Sequence, residues 1–348
     1  MNRTAVWGLT LSLVSAFLFA AAAPFAKAMY TTGWTPGSVV LLRLLGCALV
    51  LAAPVALAVR RMPREFVRNA GTLVLYGVIA MAGVQLFYFM SVEHLAVSLA
   101  LLLEMTAPVM IVLWVWMCTG TRPDSRTFLG IALAMGGLVL VLDPRGARLD
   151  PLSVGFALAA AVCLSFFFLA SAKGDLRIPP VALTGVGMGV GGATVGLLLL
   201  AGVVPAGFSA AVVDVGFMTL PWWGSMSIIV LVTAGAYAFG VIGIRLIGAT
   251  VSSFVNLVEV PFSVVVAWIV LAEMPVYMQI LGGVLVLAGV VFIKLGENRA
   301  ARRVVVDVAE DVADGSVLPV VSEVGLERPD REPEPFAPRL PGDRAEAA

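Results

Sequence analysis

Two carboxylates stand where water is scarcest. Glu104 lies inside SLALLLEMTAPVMIVLWVW (98–116) and Glu259 inside ATVSSFVNLVEVPFSVVVAWIVLAE (249–273). A charge at the centre of an apolar span costs about 2.5–3.5 kcal/mol on insertion scales, so such a group pairs with a cation, takes up a proton or meets a ligand. A proline follows each: Pro108 four residues after Glu104, and Pro261 two residues after Glu259. Proline lacks a backbone donor and clashes with the carbonyl four residues earlier. Pro108 therefore frees the carbonyl of Glu104, and Pro261 that of Leu257. Bare carbonyls at membrane depth are tolerated only against protein or a water-filled cavity, so proline and carboxylate together point to a cavity.

Other polar residues fall into register with these two. Ser252, Asn256, Glu259 and Ser263 are spaced i, i+4, i+7 and i+11, one helical face. Gln85 and Tyr88 share a face of an earlier apolar run, and Tyr237 sits within a later one. Arg43 is about seven residues into the second run, roughly 10 Å deep at 1.5 Å per residue, and is the expected charge partner of Glu104. Glu259 then lacks an obvious cation, which makes it a candidate proton carrier or the group that meets a cationic amine. The plainer alternative is that both carboxylates are hydrogen-bonded packing residues. Trp7, Phe19 and Trp114 are candidate apolar walls, and Lys27 is expected to snorkel to the surface.

These residues must be carried by membrane-spanning helices. Hydrophobic residues make up 60% of the 348, charged residues 13%, and mean hydropathy is +1.02. Soluble domains are nearer 45–50% apolar and about 25% charged. Apolar runs at 5–28, 37–58, 71–91, 95–117, 126–142, 153–172, 180–203, 222–243, 249–272 and 277–295 predict ten spans. Each approaches the ~20 residues needed to cross a ~30 Å core. The first run imitates a signal peptide, with Arg3 ahead of AAAAPFA. It is read as an uncleaved helix because the repeat described below requires it. With the N-terminus inside, the cytoplasmic segments hold 14 Lys and Arg and the outer loops hold two, Arg145 and Arg148. That bias puts both termini in the cytoplasm. Residues 297–348 carry 7 basic and 12 acidic residues and the run RPDREPEPFAPRLPGDR, the composition of a disordered tail.

The chain also repeats itself. A shift of 153 aligns Ala96 with Ala249, Pro108 with Pro261, Gly130 with Gly283 and Gly136 with Gly289. Two five-helix halves follow, 1–142 and 153–296. Five is odd, so the second half enters the membrane inverted, an arrangement associated with carriers whose site lies at the midplane. Glu104 and Glu259 each lie about ten residues from opposite ends of their spans, about 15 Å deep. The two positions are pseudosymmetric, since Glu104 plus 153 is Leu257.

Several other chemistries find no residues. Cys47, Cys118 and Cys163 lie in or beside spans and read as packing residues, with no metal site. The single histidine, His94, reads as polar surface. GVGMGVGG (185–192) lies inside an apolar span and reads as close helix packing rather than a phosphate loop. No ring of channel-filter groups and no protease motif is visible, so neither an enzyme nor a cofactor is expected.

The segments LEMTAPVMIVLWVW with FLGIALAMGGLVLVL, and LVEVPFSVVVAWIVLAE with ILGGVLVLAGVVFIKL, resemble the drug/metabolite transporter superfamily and its EamA family over about residues 5–296. LEMTAP is similar to the corresponding segment of bacterial threonine/homoserine exporters. The resemblance implies a secondary carrier in the plasma (inner) membrane that exports amino acids, related metabolites or toxic compounds. It implies a cavity lined by helices one, three, four, six, eight and nine. Glu104, Pro108, Glu259, Pro261 and Glu273 match family positions, whereas TGTRP (119–123) replaces the Gly-Glu that many members carry after helix four.

The expected protein is thus an all-α, ten-helix, inverted-repeat exporter of a small, amino-acid-like substrate. Its partners are that substrate and the lipid bilayer, with proton coupling an option, no nucleic acid and no specified oligomeric state. The alternatives are an importer or lipophilic-drug efflux carrier of the same fold, or a non-transporting sensor or adaptor acting through the tail.

Overall fold

The computed structural model describes residues 3–92, 95, 97–120, 122–143, 150–172, 177–216, 218–271, 274 and 276–313. His94, Arg145, Arg148, Lys173 and Glu273 lie outside the described residues. The chain divides into two compact units, 1–301 and 302–348. The described part of the second, 302–313, is helical.

In hydrocarbon the backbone must satisfy its own donors and acceptors, and helices do so within one segment. The elements run as α1 (Arg3–Tyr30), α2 (Pro36–Val50), α3 (Ala52–Arg61), α4 (Pro63–Arg68) and α5 (Ala70–Leu75). A π-helical segment, Tyr76–Gly83, leads into α6 (Val84–Val92), α7 (Val97–Glu104), α8 (Ala107–Thr119) and α9 (Ser125–Leu142). The second part holds α10 (Pro151–Ala172), α11 (Pro180–Leu200), a hairpin of β1 (Val213–Asp214) with β2 (Thr219–Leu220), α12 (Trp222–Asn256), α13 (Glu259–Leu271) and α14 (Tyr277–Ala313). Among the described residues eight helices are long and apolar enough to cross a bilayer, nine if the bent pair α2–α3 counts as one span. The protein is an all-α, multi-pass membrane protein.

The difference from ten spans arises at α12. The expected eighth helix and the first part of the ninth meet at a kink at Gly248, whose φ of 83° and ψ of 165° are non-helical, so that two helices follow one another within α12. A residue without Cβ turns the chain there, and no separate loop is needed. Prolines explain the other breaks. α2 and α3 bend by 52° at Leu51, where Pro54 removes the donor for the carbonyl of Val50. Breaks at Met105–Thr106 and Leu257–Val258 precede Pro108 and Pro261 in the same way.

Small residues let the helices close up. Along α1 and α12, Ser15 Oγ donates to the carbonyl of Ala236 at 2.7 Å, and Ser12 packs on Gly243. GVGMGVGG lies in α11, where Gly187 receives the ring of Tyr76 and Gly191 meets the carbonyl of Gly77. Between α9 and α14, a Cβ on Gly137 would sit 2.5 Å from the carbonyl oxygen of Gly282. A Cβ on Gly289 would sit 2.6 Å from the amide of Ala134. Gly136, matched to Gly289 by the repeat, has nothing within 4 Å, so the seam runs through its neighbour Gly137.

A short connection ties α2 and α12 together at one end. Thr35 N–H donates to the carbonyl of Gly207, Trp34 Nε1–H to that of Ser209, and the Trp34 ring lies 5.6 Å from Trp222. The starts of α2 and α12 therefore share one face of the bundle.

Gly137→Val should overpack the α9–α14 seam at about 1–3 kcal/mol and lower the melting temperature in detergent. Gly136→Val should melt close to wild type. Equal melting of the two variants would remove the seam from this account.

Candidate substrate cavity

The breaks bring the carboxylates to element ends. Glu104 is the last residue of α7 and Glu259 the first of α13. At the first break Thr106 Oγ1 donates to the carbonyl of Leu103 at 2.6 Å, and Ser165 Oγ from α10 donates to the carbonyl of Ala107 at 3.2 Å. At the second, Val260 N–H donates to the carbonyl of Leu257 at 3.2 Å. The Leu257 carbonyl, which Pro261 leaves without its usual donor, is thus taken up by a local turn, and hydroxyls bond carbonyls on either side of the first break. Glu259 stands at a helix N-terminus, where the dipole favours an anion; Glu104 stands at a C-terminus, where it does not.

Both carboxylates line one cavity of about 240 Å³. Arg43 enters it from α2, Gln85 and Tyr88 from α6, and Tyr237 and Asn256 from α12. Glu104 is only 8% exposed. Asn256 is the hydrogen-bonding neighbour of Glu259. Seven of the nine polar residues singled out by spacing and depth (Arg43, Gln85, Tyr88, Glu104, Tyr237, Asn256 and Glu259) meet here.

Ser252 instead lines a small adjoining chamber of about 20 Å³ with Ser12 and Ser15, enough room for about one water. Its Oγ lies 3.5 Å from that of Ser12, and Asn256 borders both spaces. Ser263 is not among the residues lining either space, and its hydroxyl donates to the carbonyl of Val260 at 2.7 Å. Trp7 and Trp114 are 64% and 57% exposed and are not cavity walls; of the three aromatics proposed, Phe19 alone lines the cavity.

The expected Arg43–Glu104 ion pair does not form. Among the described residues no ion pair joins Arg43 to either carboxylate, and its Nε is buried without a hydrogen-bond partner. Its field reaches both Glu104 and Glu259, and the two carboxylates also act on each other. Spacing brought Arg43 to the same cavity, but it enters the shared space rather than bonding Glu104.

The far wall is aromatic, and polar spacing gave no sign of it. Phe167 and Phe168 of α10 line the cavity. The Tyr237 ring meets Phe19 edge-on at 4.8 Å and Phe167 at 5.8 Å, and Phe167 lies 6.2 Å from Tyr76. The run SFFFLA (165–170) is indistinguishable from packing until the cavity is seen. Among the described residues no cluster of metal-binding side chains occurs.

The profile of the EamA-like transporter family matches residues 6–143 and again 151–295. The chain is 30% identical over 301 residues to a protein of Streptantibioticus cattleyicolor described as a probable terminal-alkyne amino-acid exporter, covering 85% of this chain and 96% of that one. It is 23% identical over 238 residues to the uncharacterized inner membrane transporter YicL of Salmonella typhimurium, covering 68% of this chain and 76% of that one. A solved crystal structure at 19% identity superposes with a TM-score of 0.62 over 84% of this chain and 97% of the other, a likeness of fold alone.

Pro261→Ala restores a backbone donor at the second break and removes the ring that clashes with the carbonyl of Leu257. The variant should fold and melt at or above the wild-type temperature, yet lose binding at the cavity because Glu259 is carried elsewhere. A variant that melts lower and keeps full ligand binding would show that the proline serves packing alone.

Proposed function

Since the chain belongs to the EamA-like transporter family, we propose that it is a secondary carrier that exports a small, zwitterionic, amino-acid-like metabolite across the plasma (inner) membrane by alternating access. The observation that carries this is one guanidinium and two carboxylates, with no ion pair between them, in a single buried cavity at the breaks of two helices. A zwitterion supplies a carboxylate for Arg43, which presents planar donors suited to it, and an ammonium for Glu104 and Glu259. The volume suits a small metabolite, being near the lower end of ligand pockets. The relative described as a probable amino-acid exporter supports the same substrate class.

In this reading the membrane part is ten helices in two inverted five-helix repeats, 1–142 and 153–296, with both termini cytoplasmic. The double family match, the paired proline breaks and the Lys and Arg bias of the loops support it. The charge count supports proton coupling. The empty cavity carries two acids against one base, and a bound zwitterion leaves that imbalance unchanged. One proton on Glu259 removes it.

A second reading has a specific observation in its favour. The same excess of negative charge beside Phe19, Phe167, Phe168 and Tyr237 also suits a cationic amphiphile held in part by cation–π contacts, which would make the protein a drug-type efflux carrier.

The test is flux in proteoliposomes for labelled neutral amino acids, propargylglycine (a terminal-alkyne amino acid) and cationic dyes, with and without a pH gradient. Saturable amino-acid flux is expected. Arg43→Gln and Glu104→Gln should each reduce it by about tenfold or more, as loss of a charge-assisted hydrogen bond does. Glu259→Gln should keep exchange and lose its response to the gradient. Flux of the dyes alone would select the second reading, and Glu259→Gln that still follows the gradient would remove the proton role.

A further inference from the structure

A second arginine has donors with nothing to bind. Arg245 of α12 is half-buried, and its Nε and Nη2 are both buried without a hydrogen-bond partner. Among the described residues the one titratable group whose field reaches it is the hydroxyl of Tyr76. Buried polar groups are almost always paired, so each exception asks for a reason, and a desolvated guanidinium asks for an anion.

Position supplies the reason. Arg43 and Arg245 lie toward opposite faces of the bundle. Arg43 is seven residues from the start of α2, and Arg245 is 23 residues from the start of α12, at the same face. At 1.5 Å per residue these are depths of about 10 and 35 Å. A line of rings leads from one toward the other. Tyr237 and Phe167 face the cavity that Arg43 lines, Phe167 packs against Tyr76, and the field of Arg245 reaches the Tyr76 hydroxyl. Tyr76 is 1% exposed, and its hydroxyl is 2.9 Å from Ser171 Oγ of α10. It belongs to the π-helical segment, a geometry that often marks functional sites. The Tyr76–Ser171 contact thus joins the π-helical segment to α10 at the end of this line of rings.

We propose that Arg245 is a second binding station for the carboxylate of the transported molecule, used when the protein opens to the cytoplasm. The inference rests on the carrier reading above and names the substrate group that this face selects. A carboxylate arriving from the cytoplasm takes the free Nε and Nη2 donors in the fork geometry that arginine offers. Parting of Tyr76 from Ser171 then opens the route to Arg43. Export therefore begins at one guanidinium and passes to another, while a molecule without a carboxylate gains nothing at Arg245.

The test uses inside-out and right-side-out membrane vesicles holding the full chain, with labelled leucine, propargylglycine and leucinamide, which lacks the carboxylate. R245Q should raise the half-saturation concentration for both amino acids about tenfold or more at the cytoplasmic face and change it less than about twofold at the outer face. R245K should recover part of the loss, and leucinamide flux should not respond to either variant. Unchanged flux at outer-face saturation shows that the variants are folded. Equal effects at both faces, an equal effect on leucinamide, or no effect in vesicles where wild type transports would overturn the station and leave the carrier intact. Wild-type vesicles that move none of the three compounds would overturn the carrier reading itself, and the station with it.

Discussion

The absence of water in hydrocarbon is the constraint on which this structure depends. A helix broken at membrane depth exposes backbone groups that only protein or a hydrated cavity can satisfy. Two prolines, Pro108 and Pro261, impose such breaks. Everything near them follows: hydroxyls of Thr106 and Ser165 turned onto carbonyls, small residues that let α1 press against α12, and a cavity where the two broken helices meet. The carboxylates occupy element ends because the breaks there open onto a polar cavity.

The electrostatics of that level are deliberately unfinished. A direct Arg43–Glu104 pair would stabilise the empty protein and hide both groups from a ligand. A buried pair, once formed, is costly to break, because each partner is then left as an uncompensated buried charge. Here Arg43 reaches both carboxylates through its field and bonds to neither. The charges are kept close enough to offset one another without an ion pair between them. Such a cavity is stabilised most by its own ligand, as expected where binding must favour one conformation over another.

The sequence showed what composition and chemistry determine. Span positions, both proline breaks and the depth of Glu104, Glu259 and Arg43 follow from apolar runs and 1.5 Å per residue. Rotation about each helix axis does not, because a helix apolar on every side has no periodicity to orient it. That is why Arg43 was expected on Glu104, why Ser263 shares the face of Glu259 by spacing yet turns its hydroxyl to Val260, and why Trp7 and Trp114 face outward. It is also why Phe167 and Phe168 gave no signal: an aromatic run looks alike in a wall and in a core. The direct kink from the eighth helix to the ninth at Gly248 was hidden for a different reason. A single glycine in positive φ can replace a loop, and its composition does not announce which it will do.

The aromatic wall gives the two arginines their meaning. If Phe19, Tyr237, Phe167 and Tyr76 were only core, no polar group would be needed beyond them, and Arg245 would gain by turning its donors to solvent. Instead those donors are buried, and the Tyr76 hydroxyl that their field reaches bonds across to α10. A charge held unpaired is costly in this conformation. A cost of that kind is retained when a second conformation recovers it. The π-helical segment that begins at Tyr76 lies between the Tyr76–Ser171 contact and the residues, Gln85 and Tyr88, that touch the cavity. Occupancy of the cavity and closure of the wall are therefore borne by one continuous helix, which is the physical connection an alternating carrier requires.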